Sequence, residues 1–221
     1  MNRFISEQCI DTNSLSFSRH LKQIQAPLEM PILGLAKRTI DIVFSSIILI
    51  TLFPLYVIVA IAIKLDSPGP AVLGQKRIGK DGTPITIYKF RTMKSSTIAY
   101  DYSPTNSKDK RVTKIGRFLR EAGIDELPQF LNVLRGEMSI VGPRPEMEFI
   151  VKSYNDLERT RLLVKPGITG LWQIKASRKR LIHEDIQFDL IYLRNFSILL
   201  DISIMTETAW LMIRKMLTAK F

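Results

Sequence analysis

The chain has 221 residues, with 32 Lys+Arg against 21 Asp+Glu and a formal net charge of +11. That length allows one domain with a substantial core, alone or with a membrane element, and the charge calls for an anionic partner. No zinc-ligand spacing, recognition-helix signature or RNP-type motif is present, which sets nucleic acid aside in favour of phosphorylated substrates and anionic lipids, and the lone Cys9 excludes an intramolecular disulfide.

Residues 1–34 read as a weakly ordered arm, because the early positions are polar with little apolar periodicity. From Ile42 to Ile63 no residue is charged. As a helix this run measures about 33 Å, close to the thickness of a bilayer core. It starts too far into the chain for a signal peptide, and no small-residue cleavage site follows. A buried core helix is the alternative.

Pro54 lies near the middle of the run. It removes one helical hydrogen bond, and the carbonyl set free needs a local partner such as the Thr51 hydroxyl. Lys37 and Arg38 precede the run, and Lys64, Lys76, Arg77 and Lys80 follow it. The positive-inside rule puts both ends on the cytoplasmic side, which a helix bent at Pro54 allows and a straight span does not. Kinked spans also contain proline, so both topologies stay open at this point. Asp41 fits either an ion pair with Arg38 on one helix face or an acid near a helix N-terminus.

Asp66-Ser67-Pro68-Gly69-Pro70 closes this element. Ala71–Gln75 and Ile85–Phe90 read as strands, with Asp81-Gly82 as the turn between them. Lys94 to Lys110 reads as an exposed loop. Helical patterns follow at Ile115–Glu121, Leu127–Leu134, Glu146–Asn155 and His183–Asn195, with Pro166-Gly167 and Thr169-Gly170 marking a loop. Ile198–Leu217 is apolar on much of its circumference. Trp210, Arg214 and Lys215 suit an amphipathic helix in the headgroup region, and a helix capping the core is the other reading.

The chemistry concentrates between Ile124 and Glu146. A carboxylate can attack phosphorus and split one hard transfer into two easier ones, while a second carboxylate holds a divalent cation. Asp125 and Glu126 offer both groups side by side. Most Asp-Glu pairs are solvated helix surface, but apolar neighbours and Pro128 give this one a buried context. Arg144 sits between Pro143 and Pro145, which fix the backbone and hold the guanidinium for bidentate phosphate recognition. A structural turn with an exposed arginine is the plainer reading. Lys89, Arg91, Arg111, Arg117 and Arg120 add positive charge, and His20 and His183 have no partner at metal-ligand spacing.

Five blocks occur in order: KRTIDIV at 37–43, DSPGPAVLGQKRIGKDGTPITIYKFRTM at 66–93, KRVTKIGRFLR at 110–120, IDELPQFLNVLRGEMSIVGPRPE at 124–146 and KPGITGLWQI at 165–174. Together they resemble the bacterial sugar transferase family, the monotopic phosphoglycosyl transferases that begin exopolysaccharide and related glycan synthesis. The resemblance implies transfer of a sugar 1-phosphate from a UDP-sugar to polyprenyl (undecaprenyl) phosphate, with release of UMP and a requirement for Mg2+. It makes Asp125 the nucleophile that forms a covalent phosphosugar intermediate and Glu126 the Mg2+ ligand. Arg120 and Arg144 become phosphate-binding residues, with Lys89 and Arg91 beside them. It also makes Pro54 the break of a re-entrant helix, with Arg38 and Asp41 at its entry.

Three positions depart from the family pattern: Phe53 where serine is common before the proline, Gly123-Ile124 where Ser-Leu is usual, and Ala176-Ser177-Arg178 where Gly-Arg often follows Trp-Gln. Arg178 is therefore a substrate-binding candidate displaced by one residue. Leu171-Trp172-Gln173 resembles the galactose- or glucose-1-phosphate members.

The expected architecture is α+β and mainly helical. A re-entrant membrane helix at 35–66 joins a small cytosolic catalytic domain at 67–221 that carries a β-hairpin and a C-terminal interfacial helix. The expected location is the bacterial inner membrane with the site on the cytoplasmic face, touching anionic lipids and leaving room for a homo-oligomer. A non-catalytic membrane scaffold of a polysaccharide assembly is the rival reading.

Overall fold

The computed structural model describes residues 31–94, 109–175 and 186–218. Helix α1 (Pro31–Thr51) and helix α2 (Phe53–Asp66) are joined at Leu52 with a bend of 61°. Pro54 falls in the first turn of α2, where its missing N–H is not needed, so it starts a new helix more readily than it continues the old one. The Thr51 hydroxyl does not reach the carbonyl left free by Pro54. It bonds one turn back, to the Ile47 carbonyl at 2.7 Å. Among the described residues no single helix is long and apolar enough to cross a membrane, whereas the bent pair together is. Val43, Ile47, Ile50, Phe53, Ile58 and Ile61 stand exposed along it.

Both ends of the pair are pinned to the same globular unit. At the start, Arg38 donates to the Val133 and Leu134 carbonyls at 2.5 and 2.7 Å. Buried Asp41 accepts from Ser139 Oγ and the Ile140 N–H. The Arg38–Asp41 pair, one of the two readings of Asp41, is therefore replaced by two separate anchors, because each side chain finds hydrogen-bond partners in the domain. Lys37 adds a buried link to Asp201, which also accepts from the Tyr192 hydroxyl. The helix begins at Pro31, so residues 31–34 of the expected arm are helical, and the rest of that arm lies outside the described residues.

Strands β1 (Val72–Ile78) and β2 (Pro84–Phe90) form an antiparallel hairpin, in register from Val72 opposite Phe90 to Ile78 opposite Pro84. Asp81, with φ of 54°, makes the turn. The outer edge of β2 is closed by a side chain. Fully buried Asn132 accepts from the Tyr88 N–H and donates to the Thr86 carbonyl, as a third strand would.

Helix α3 (Lys114–Ala122) is capped by Thr113, and a 3-10 helix (Ile124–Gln129) then runs into helix α4 (Phe130–Arg135). The expected helix over Leu127–Leu134 is thus two elements with Pro128 inside the first. Short strands β3 (Ser139–Val141) and β4 (Gly167–Thr169) pair in parallel, so part of the expected loop around Pro166–Gly170 is strand.

The expected Glu146–Asn155 helix is also shorter. Glu146 is extended, with its carbonyl bonded to the Ile78 N–H, so helix α5 spans only Glu148–Lys152. Asn155 then opens helix α6 (Asp156–Arg159) with a capping box to Glu158. Helices α7 (Leu171–Lys175), α8 (Ile186–Arg194) and α9 (Ile198–Thr218) complete the described chain.

The main core gathers Ile87, Val133, Met138, Leu190, Leu193 and Ile204. A second core lies between α2 and the 3-10 helix, where Val59 and Ile63 meet Leu119, Ala122, Ile124 and Leu127. Helix α9 divides its faces. Asp201 and Ile204 are buried against the core, while Leu199, Trp210, Ile213 and Leu217 are exposed. It therefore caps the core and presents an apolar face as well.

Candidate active site

Helix α3 ends at Gly123, which takes φ of 73°, a left-handed conformation that glycine adopts without strain. The chain can then turn at once into the 3-10 helix. With three residues per turn, Ile124 and Leu127 eclipse each other and both face the second core. Asp125 and Glu126 are thereby turned to the side, toward the hairpin. From α2, the Tyr56 hydroxyl donates to the Leu127 carbonyl at 2.7 Å, directly behind the acidic pair.

Glu126 is clamped. Arg144 Nη2 lies 2.7 Å from Oε1 and Nη1 lies 3.3 Å from Oε2, while Lys89 Nζ lies 3.1 Å from Oε1. Burial opposes ionisation of Glu126, but the charges of Arg144 and Lys89 outweigh it and hold the carboxyl well below its usual range. The same contact pushes Arg144 up, through Glu126 first, against burial. Lys89 is lowered by burial, which its attraction to Glu126 only partly offsets.

Asp125 behaves in the opposite way. Burial first, then the negative charge of Glu126, raise its carboxyl to about 6, with Lys89, Arg120 and Arg144 pulling it down. Two adjacent carboxyls are thus driven apart. One is fixed as an anion, and the other changes charge near pH 6, which is the kind of separation that marks a candidate site.

The Pro143-Arg144-Pro145 segment is held from three sides. The Gly142 N–H donates to the Thr169 carbonyl, the Gly167 N–H donates to the Pro143 carbonyl, and Glu146 bridges to Ile78. Arg161 adds a hydrogen bond from Nη2 to the Arg144 carbonyl at 3.2 Å. Arg161 is itself buried, paired with Asp189 at 2.8 Å and bonded to the Tyr154 hydroxyl.

The expected residues separate into groups. Asp125, Glu126, Lys89 and Arg144 come together, and Arg120, in the last turn of α3, acts electrostatically on Asp125. Arg91 goes elsewhere. Its buried guanidinium donates to the Ile63, Ser67 and Pro68 carbonyls, so it ties down the end of α2. Arg111 pairs with Asp109. The whole Ala176-Ser177-Arg178 segment lies outside the described residues. Sequence reasoning passed over Arg77 and Arg161. The hairpin register could have revealed Arg77, since alternation puts Gln75 and Arg77 on the Lys89 face.

Among the described residues no cluster of three or more His, Cys, Asp or Glu is grouped to hold a metal. Mg2+ is commonly held by one or two carboxylates, with phosphate oxygens and water completing its shell. Glu126 fits that lesser demand. The one described contact of its Oε2 is the long 3.3 Å approach of Arg144.

A family model described as "Bacterial sugar transferase" matches residues 32–215. The UDP-glucose:undecaprenyl-phosphate glucose-1-phosphate transferase of Escherichia coli (strain K12) is 43% identical over 184 residues, which cover 80% of this chain and 40% of that protein. The exopolysaccharide production protein ExoY of Sinorhizobium fredii is 39% identical over 193 residues, covering 80% of this chain and 85% of that one. The undecaprenyl-phosphate galactose phosphotransferase of Salmonella typhimurium is 36% identical over 194 residues, covering 81% and 40%. The chain therefore spans about two-fifths of the first and third of these relatives and most of the second.

Proposed function

The chain belongs to the bacterial sugar transferase family, and we propose that it moves a sugar 1-phosphate from a UDP-sugar to undecaprenyl phosphate, releasing UMP, as the first step of an exopolysaccharide or related glycan. The observation that carries this reading is the pair of adjacent carboxyls with opposed ionisation: Glu126 clamped by Arg144 and Lys89, Asp125 raised to about 6.

Asp125, ionised, attacks the phosphorus that bears the sugar. A bond forms from its carboxylate oxygen to phosphorus, the bond from that phosphorus to the bridging oxygen of the diphosphate breaks, and UMP leaves with the electron pair. An oxygen of undecaprenyl phosphate then attacks the same phosphorus and regenerates the carboxylate. Arg144 and Lys89, beside the acidic pair, would offset the negative charge that builds on the phosphoryl oxygens. Glu126 would hold Mg2+, which supplies charge neutralisation of the phosphates when bound. The Leu171-Trp172-Gln173 sequence favours galactose or glucose as the sugar.

The bent α1–α2 pair is read as re-entrant, with the site on the cytoplasmic face of the inner membrane. Support comes from its two ends. Arg38 and Asp41 at the start, and the Ile63, Ser67 and Pro68 carbonyls at the finish, are all bonded to one domain. A straight span of about 30 Å would put those ends on opposite faces.

The test is a panel of UDP-sugars supplied to membranes containing the chain, followed by UMP release and labelling of the lipid. Turnover of a UDP-hexose that is lost in Asp125→Asn is expected. Full transfer by Asp125→Asn sinks the nucleophile, and failure of every UDP-hexose by a folded protein favours a non-catalytic scaffold.

A further inference from the structure

Arg77 is only 7% exposed, yet its Nη1 is a buried donor without a hydrogen-bond partner among the described residues. A buried donor left unsatisfied carries its full desolvation penalty, so a guanidinium kept that way calls for an acceptor that comes and goes. The hairpin register says where it points. Arg77 is opposite Ile85, Gln75 is opposite Ile87 and Lys89 is opposite Leu73, so Gln75, Arg77 and Lys89 share one face. The buried Ile87 lies on that face, and β2 packs against the 3-10 helix that carries Asp125 and Glu126.

Two observations fix Arg77 within the cluster. Its Nη2 donates to Gln75 Oε1 at 2.8 Å, which leaves Nη1, the other end of the fork, unengaged among the described residues. Burial and then the Arg144 charge lower it to about 10, while Glu146 and Glu126 pull it up, so those three residues are its electrostatic neighbours. Arg77, Lys89 and Arg144 therefore converge on one place, but Glu126 bonds only the last two. The surplus is cationic, and a planar fork is suited to phosphoryl oxygens.

We propose that Arg77 binds a phosphoryl oxygen of the donor's diphosphate through the Nη1 end of its guanidinium, as a third cation beside Lys89 and Arg144. This rests on the transferase reading above. No described contact of Arg77 is with Asp125, so its part is to seat the diphosphate rather than to make or break a bond.

The experiment measures UDP affinity directly, on the full chain in detergent micelles, without turnover. Arg77→Gln is expected to weaken UDP at least tenfold and to raise KM for the UDP-sugar by a similar factor, with Arg77→Lys falling between it and the wild type. Unchanged UDP affinity in folded Arg77→Gln overturns the proposal and leaves the transferase reading standing. Where Arg77→Gln does not fold, unchanged affinity in Arg77→Lys overturns it equally. A wild-type chain that binds no UDP overturns both readings.

Discussion

The guanidinium of Arg144 meets the carboxylate of Glu126 through both terminal nitrogens, at 2.7 and 3.3 Å, from a backbone that two prolines and two strands hold in place. The fork, and not only the charge, is what the geometry uses. Arg144→Lys keeps the charge and loses the paired contact, so UMP release is expected to fall on the order of 10²-fold with little change in melting temperature. Equal activity in Arg144→Lys would show that a point charge is enough.

Asp125 gives a pH prediction with a definite sign. Its carboxyl is raised from 3.8 to about 6, so the ionised nucleophile is lost as pH falls through that value, and kcat/KM is expected to show an acid limb near pH 6. For stability the direction reverses. Between 3.8 and about 6 the folded state binds the proton more readily than the unfolded state, so stability falls as pH rises through that window. Asp125→Asn is then expected to melt a few degrees higher than the wild type at pH 7.5, with the gain vanishing below pH 4. A gain that persists unchanged at low pH would place the effect elsewhere.

Arg91 is expected to act on folding and not on substrate. Arg91→Ala removes the guanidinium shared by the Ile63, Ser67 and Pro68 carbonyls, of which Ile63 keeps the Ser67 N–H, at a cost of roughly 1–3 kcal/mol in all. Its melting temperature should drop while KM for the UDP-sugar in the folded fraction stays within about twofold. A large rise in KM at normal stability would return Arg91 to the substrate.

Gly167 tests how Arg144 is held. A Cβ there would lie 2.1 Å from the Gly142 nitrogen and 2.4 Å from the Thr169 carbonyl oxygen, so β3 and β4 must part. Gly167→Ala is expected to cost about 1–3 kcal/mol and to reduce transfer beyond what the folded fraction explains, because Pro143 loses its partner. Activity proportional to the folded fraction would show that the segment keeps its shape without β4.

Much of this site was legible because its elements are governed by local rules. Alternation and the Asp81-Gly82 turn give the hairpin, and Pro54 gives the helix break. The acidic pair and Pro-Arg-Pro identify the chemistry as carboxylate and guanidinium. What pairs with what was not legible. Glu126 takes its partners 37 and 18 residues away, and only the fold decides that. Strands of three residues, such as β3 and β4, are too short to show a period. Arg77 and Arg91 look alike along the chain, yet one shares the hairpin face of Lys89 and the other ties down α2, because strand register and the path after α2 differ.

The hydrogen bond from Tyr56 to the Leu127 carbonyl, and the packing of Val59 and Ile63 beneath Ile124 and Leu127, make the second apolar helix the floor on which the acidic pair rests. It is not a tether that could be cut. Removing residues 31–66 to obtain a water-soluble fragment would strip the underside from Ile124 and Leu127 and take the Tyr56 hydroxyl from a backbone acceptor one residue from Glu126. The lever that greasy helices offer the enzyme engineer is therefore closed here: solubility cannot be gained by trimming without unseating the carboxylates.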